Sequence, residues 1–253
     1  MFNQERYNRN ILINQIKEEG QKALLSSKIL VAGAGGLGST VLANIASVGI
    51  GNIGIIDNDV IELSNLNRQY IHKFENIGRD KVESAKEWIK SFNPDINVEI
   101  YHLRLDENNH KDIIKDYNLI IDCFDSYKSK FLLNKIAVEN NKTLIHGGVT
   151  EFFGQVTTII PGKTACLNCL FPDADLNTYA IKGVISPAVT TIASIQSMEA
   201  VKILLNIGNT LENKLLTYNG LNMEFKKFNI EKNANCPLCN KNKYCNNQII
   251  NKC

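Results

Sequence analysis

The sequence predicts an α/β fold: a doubly wound, mostly parallel sheet extended by a β-rich C-terminal lobe. Three observations predict it. Short apolar runs alternate with helix-period segments up to about residue 148, a glycine cluster follows the first of those runs, and beyond Gly148 the strands lengthen while helices become scarce. Regular alternation of strand and helix is the pattern of parallel strands joined by crossover helices. At 253 residues the chain can bury one large core with an appended portion. Its formal net charge of +2 is too small to predict a nucleic-acid or membrane surface. No apolar run reaches the length of a membrane span, and the N-terminal MFNQERYNRN has no hydrophobic signal core. The expectation is a cytoplasmic protein whose cysteines stay reduced.

Each element follows from local pattern. KILVAGAGG (28–36) is a buried strand running into glycines, and the segment through Ser47 continues as a helix. NIGIID (52–57) is the next strand. Between Lys81 and Phe92 the residues Val82, Ala85, Trp88, Ile89 and Phe92 recur at helical spacing, and Asn93-Pro94 stops that helix. INVEIY (96–101) alternates as a strand, and YNLIIDC (117–123) is an apolar one. A helix over about 126–140 leads to a strand at TLIHG. GQVTTII, one helix over about 187–207 and two further strands complete the chain. No linker interrupts it, so residues 1–253 form a single domain, with about 28–148 as the nucleotide-binding core and about 149–253 as an elaboration on it.

Gly33-Ala34-Gly35-Gly36-Leu37-Gly38 fits G-x-G-x-x-G between strand and helix. Glycines there permit a tight turn and close approach of phosphate to the helix N-terminus, the Rossmann-like arrangement. Asp57 lies nineteen residues past Gly38, at a strand end where an acid bonds ribose hydroxyls. The chain has no G-x-x-x-x-G-K-[ST], so a P-loop does not hold the nucleotide. Asp59, then Asn65, Arg68 and Gln69, follow in IIDNDVIELSNLNRQY; Lys81 ends GRDK, and Asp125 ends Cys123-Phe124-Asp125. Residues beyond strand carboxyl ends converge on the crevice of a doubly wound sheet. Arg68, Lys81 and two acids able to hold Mg²⁺ suit a triphosphate better than a hydride-transfer site.

Cys166-Leu167-Asn168-Cys169 and Cys236-Pro237-Leu238-Cys239 are two C-x-x-C pairs with 66 residues between them. Four thiolates from two such pairs match a tetrahedral, structural Zn²⁺ site with no open position. It would clip the C-terminal segment onto the crossover after the 152–160 strand. The remaining chemistry-bearing residues have plainer expectations. His72, His102, His110 and His146 show no ligand spacing, and His146 is expected as a strand-end residue. Trp88 is helix-face core, Phe152 and Phe153 are core packing, and Cys123 is buried packing. Cys245 and Cys253 sit in an Asn/Lys-rich tail with no cation cluster to activate them.

Together these blocks resemble the ThiF/MoeB/HesA family, prokaryotic relatives of the ubiquitin-activating enzymes. The resemblance runs from RYNRN through GAGGLG, IIDNDVIELSNLNRQ, IGRDKVESA, DCFDS, GQVTTIIPGKTACLNCLFP, GVISP and MEAVK to CPLCN, essentially the whole chain. It implies adenylation, with ATP, of the C-terminal Gly-Gly carboxylate of a small ubiquitin-fold sulfur carrier, serving thiamine or molybdopterin synthesis. It also implies a homodimer. Gly33, Gly35, Gly36 and Gly38 then resemble the loop under the nucleotide, and Asp57 the ribose ligand. Asp59 and Gln69 join the nucleotide contacts, and Asn65, Arg68 and Lys81 resemble the phosphate-binding set. Asp125 resembles the acid that positions Mg²⁺, and Arg9 the arginine that reaches into the neighbouring subunit's site. Residues 149–253 become the carrier-binding, zinc-clipped portion.

Many family members carry a cysteine before the glycine-valine turn, where this chain has Tyr179. That departure implies an enzyme that stops at the acyl-adenylate and leaves sulfur to a separate donor. Two alternatives remain open on the residues. One is adenylation of a ribosomal peptide's C-terminus, as in microcin maturation, against which stand the mere 27 residues before the first strand. The other is an NAD-dependent oxidoreductase, disfavoured by the Arg/Lys/Asp set.

Overall fold

A computed structural model describes residues 4–176 and 183–240. Two short helices, α1 (Asn8–Ile11) and α2 (Lys17–Ser26), precede the first strand. The nucleotide-type half follows as β1 (Lys28–Ala32), α3 (Gly36–Val48), β2 (Asn52–Ile56), α4 (Lys81–Phe92), β3 (Asn97–Tyr101), α5 (His110–Ile114), β4 (Leu119–Asp122), α6 (Tyr127–Glu139) and β5 (Thr143–Thr150). The chain then runs through β6 (Phe153–Ile159), α7 (Leu167–Leu170), α8 (Ser186–Leu205), β7 (Lys214–Asn219) and β8 (Glu224–Asn229).

All eight strands join one sheet in the order β3-β2-β1-β4-β5-β6-β7-β8. The first five are parallel, and β6, β7 and β8 add antiparallel. The C-terminal strands thus extend the nucleotide-type sheet itself. Strand alternation sends side chains to two faces. Ile29, Val31, Ile53, Ile55 and Ile121 pack with α3, α4 and α8, while Leu30, Ala32, Ile56, Ile120 and Leu144 pack with α5, α6 and α7. α8 is apolar and long enough to cross a membrane by length and composition alone. Here it lies against α3 and β5 in the first of those cores, with Ala188, Val189, Ile192, Ala193 and Ala200 at 0–2% exposure.

Two expectations are corrected. Phe152 and Phe153 are 39% and 38% exposed, because they sit at the tight β5–β6 turn, where Glu151 has φ 52°, rather than in the middle of a strand. His146 does not end its strand. Antiparallel pairing with β6 continues β5 to Thr150, leaving His146 inside the strand and 2% exposed.

Candidate active site

The strand order reverses between β1 and β4, so their carboxyl ends open a crevice at the switch point. Gly33 leaves β1 with φ +108°, a conformation disfavoured for side-chain-bearing residues. A Cβ there would sit 2.7 Å from the Cys123 carbonyl oxygen, and one at Gly38 would sit 2.1 Å from the Gly33 oxygen. This close approach sets the glycine turn beside the Cys123-Phe124-Asp125 segment. Gly35 is the N-cap of α3, and no side chain caps that helix. Its first-turn N–H groups therefore stay available at the positive end of the helix.

The segment after β2 folds over this turn. Gln69 Nε2 lies 3.5 Å from where a Gly35 Cβ would be, and the Arg68 stem lies 3.6 Å from the same point on Gly36. Val189 of α8 closes the other side of Gly36 at 3.2 Å. Arg68 Nη1 donates to the Ser64 carbonyl at 3.0 Å and to Asn67 Oδ1 at 2.9 Å, and no carboxylate pairs with it among the described residues. Gln69 is 4% exposed, and its Oε1 is buried with no hydrogen-bond partner among the described residues. A buried acceptor left alone costs free energy unless something fills it. Asn65 holds its own 3₁₀ turn, accepting the Glu62 N–H on Oδ1 at 3.1 Å.

Asp57 turns inward. Its Oδ2 accepts the Ala34 N–H at 2.7 Å and its Oδ1 the Asp59 N–H at 2.8 Å. Burial raises its carboxyl above the usual value, against Lys81 and those two N–H groups. Each oxygen still keeps a lone pair for a hydroxyl donor. Lys81 is the first residue of α4, with its side chain 7% exposed and Nζ 2.8 Å from Asp59 Oδ2. A cation at a helix N-terminus works against the helix dipole. Asp59, and Asp57 behind it, set negative charge beside that side chain. Asp125 is exposed, between β4 and the Ser126 cap of α6.

The crevice therefore gathers Gly33, Gly35, Gly36, Gly38, Asp57, Asp59, Arg68, Gln69 and Lys81, with Asp125 on the neighbouring loop. Arg9 is not brought there. It sits on α1, where Asn10 donates to the Val48 carbonyl at 3.4 Å, at the far end of α3 from Gly35. With 13 residues, α3 is about 20 Å long.

Sequence reasoning missed a buried charged network directly beneath the crevice. Asp122, fully buried, lies 3.3 Å from Lys130 Nζ and 2.7 Å from His146 Nδ1, and Lys130 also donates to the Gly147 carbonyl at 2.6 Å. Burial raises the Asp122 carboxyl, but Lys130 and His146 overcome it and hold it below the usual value. Burial lowers His146, against the pull of Asp122, so the neutral ring donates from Nδ1. Residues separated by 24 positions meet here through β4–β5 pairing, which no local pattern announces.

At the opposite face the four cysteines converge. Their sulfurs all lie within 4.8 Å of one another, with Cys166–Cys169 at 3.9 Å, Cys166–Cys236 at 3.6 Å and Cys169–Cys239 at 3.4 Å. Tetrahedral Zn²⁺ with thiolate bonds near 2.3 Å requires sulfur separations of about 3.8 Å, so the set fits that ion. Burial and the neighbouring thiols push Cys166 up to about 11. Against burial, the N–H groups of Cys239 and Leu238 bring Cys236 down to about 7. Asn134 of α6 accepts the Leu167 N–H at 3.1 Å and donates to Asn168 at 3.0 Å, which fixes the first cysteine pair. Cys123 is buried, as expected. Tyr179, Cys245 and Cys253 lie outside the described residues.

Comparison with known proteins agrees with this geometry. The profile of the ThiF family matches residues 7–238. The chain is 36% identical over 239 residues to the SAMP-activating enzyme E1 of Haloferax volcanii, covering 93% of this chain and 88% of that protein. It is 34% identical over 244 residues to the sulfur carrier protein adenylyltransferase of Thermus thermophilus, covering 93% and 90%. Among solved structures, E. coli MccB superposes with a TM-score of 0.84 at 24% identity, over 94% of this chain and 73% of that one.

Proposed function

This chain belongs to the ThiF family, and on that premise we propose that it is an adenylyltransferase that activates the C-terminal Gly-Gly carboxylate of a small ubiquitin-fold sulfur carrier with ATP. The observation that carries the reading is unmet bonding capacity over a helix N-terminus. Among the described residues, Arg68 lies against Gly36 without a carboxylate, and Gln69 Oε1 is buried without a donor. A polyphosphate nucleotide supplies the negative charge for the first, and its hydroxyl or amino groups can supply a donor for the second.

In the reaction a carrier carboxylate oxygen attacks the α-phosphorus of ATP in line. The bond from that phosphorus to the bridging oxygen breaks, and pyrophosphate leaves with the electron pair. The carboxylate is already anionic, so no general base is required. The barrier lies in bringing anion to anion, which Arg68, Lys81 and the α3 N-terminus offset by fixed positive charge. Asp57 faces the ribose, and Asn65 and Asp59 hold the Arg68 and Lys81 segments in place. Asp125, the solvent-facing acid of the set, would hold Mg²⁺, which supplies charge neutralisation on the phosphates. The four cysteines would hold Zn²⁺ with no position left for substrate, a structural role.

Arg9 cannot reach its own crevice across the length of α3, so we assign it to the crevice of a second copy in a homodimer. We assign sulfur delivery to a separate donor, since Tyr179 stands where many members of this family carry cysteine. We assign the protein to a reducing cytoplasm, where cysteines stay unoxidised and able to bind zinc. We leave thiamine and molybdopterin carriers as equal arms of the test. The likeness to MccB at 24% identity speaks to fold, whereas the carrier reading draws on relatives matched over about nine-tenths of both chains.

The test is exchange of labelled pyrophosphate into ATP, with Gly-Gly-ended carriers, peptides ending in a free carboxylate, or neither. Carrier-dependent exchange is expected. Exchange driven by a peptide alone, or none alongside tight NAD binding, would overturn the proposal.

A further inference from the structure

His72 fell outside every pattern in the sequence, yet it is 4% exposed and fully engaged. Its Nε2 lies 2.9 Å from the Ala34 carbonyl oxygen, in the middle of the glycine turn. A carbonyl can only accept, so Nε2 carries the hydrogen and Nδ1 is free to accept in the neutral ring. Ser84 Oγ lies 3.0 Å from Nδ1 and is placed to donate. Ser84 belongs to α4, the helix that begins at Lys81. The other backbone group of Ala34, its N–H, is taken by Asp57 at 2.7 Å. Both polar groups of one loop residue are therefore tied by side chains from two different segments.

We propose that His72 is a positioning residue for the nucleotide: by clamping the Ala34 carbonyl it sets the orientation of the Gly33–Gly36 turn and couples that turn, through Ser84, to the helix bearing Lys81. This rests on the reading that the crevice takes ATP. Glycine-rich turns are intrinsically free, and a free turn binds phosphate poorly because ordering it opposes binding. Asp57 and His72 remove that freedom in advance. Gly35 and Gly36, which have no side chains to anchor, inherit their geometry from Ala34. Burial holds the His72 ring neutral, aided by the charge of Lys81 and opposed by the Ala34 contact. The neutral ring keeps the single tautomer that the Ala34 carbonyl and Ser84 hydroxyl require.

The test measures ATP affinity by calorimetry on the full-length, zinc-loaded chain, with no carrier present. His72→Leu keeps bulk and loses the donor; loss of one hydrogen bond that orders the turn predicts ATP binding about tenfold weaker. His72→Gln presents an amide N–H near the position of Nε2 and is expected to restore affinity to within about threefold of wild type. Ser84→Ala leaves the ring in place without its hydroxyl partner and is expected to fall between them. Should His72→Leu fail to fold, the order wild type, His72→Gln, Ser84→Ala decides the matter. Unchanged affinity in Ser84→Ala and His72→Leu, or a His72→Gln as weak as His72→Leu, would overturn the proposal. A wild type that binds ATP yet exchanges no pyrophosphate with any carrier sinks the proposed substrate and leaves this comparison standing; one that binds no ATP sinks both.

Discussion

The crevice at the β1–β4 switch point and the four-cysteine cluster contrast in how completely their bonding capacity is met. In the cluster, four sulfurs lie within 4.8 Å of one another, three of the pairs at 3.4–3.9 Å, with Asn134 holding the first cysteine pair. Tetrahedral coordination would use every ligand and leave nothing for a substrate. In the crevice, Arg68 lacks a carboxylate among the described residues, Gln69 Oε1 lacks a donor, and the α3 N-terminus lacks a cap. The proposed function draws on this difference: it takes the first region as a structural metal site and the second as the place of the chemistry.

The sharpest way to break this contrast is to damage each region and read both fold and rate. Asp125→Ala should reduce carrier-dependent exchange by on the order of 10³-fold while leaving the melting temperature unchanged, since the side chain is exposed. Robust turnover by that variant would remove Asp125 from the chemistry. Cys236→Ser, or a strong chelator, should do the reverse. It should release the metal and lower the melting temperature by several degrees, at roughly 2–4 °C per kcal/mol for a chain of this size. An identical melting curve with and without metal would show that the cluster holds nothing of structural weight.

A smaller effect tests whether the crevice is complete within one chain. Arg9→Ala and Asp125→Ala, each defective alone, should recover about a quarter of the wild-type rate when mixed and allowed to exchange subunits, because half of the pairs are mixed and each mixed pair has one intact site. No recovery, with exchange of subunits demonstrated, would confine Arg9 to its own chain or to no role.

The smallest effect is on pH dependence. His72 and His146 are both held below the ordinary histidine value of 6.5 when folded, chiefly by burial. Below pH 6.5 the unfolded chain therefore binds more protons than the folded one, and stability falls as pH drops toward the folded values. Asp122, held below 3.8, adds its loss only at lower pH. Unfolding free energy should decline between pH 7 and 5, and His146→Asn should show a shallower decline from a lower starting stability. A flat profile in the wild type would mean these rings are not buried neutral.

Much of this was legible in the sequence where spacing is local. The glycine turn is six consecutive residues, and each cysteine pair lies within four, so pattern and structure coincide there. The helix over Lys81–Phe92 and the parallel half of the sheet were equally plain, because helical and apolar periodicity persist long enough to read. What was hidden depends on long-range pairing. His72 meets Ala34 across 38 positions, and Asp122 meets His146 across 24, so neither partnership has a local signature. The His110–Ile114 helix is too short to show a period. Phe152 and Phe153 were misread because aromatic pairs are usually buried, whereas here they sit at a tight turn.

If the unmet charge in the crevice serves to adenylate a carboxylate, the carrier itself must gain an adenylyl group. The direct measurement is the intact mass of a Gly-Gly-ended carrier after incubation with the protein, ATP and Mg²⁺. We expect a species heavier by one adenylyl group, formed by wild type, formed slowly by Arg68→Ala and absent with Asp125→Ala. A carrier that stays unmodified while the protein retains bound ATP would contradict the account.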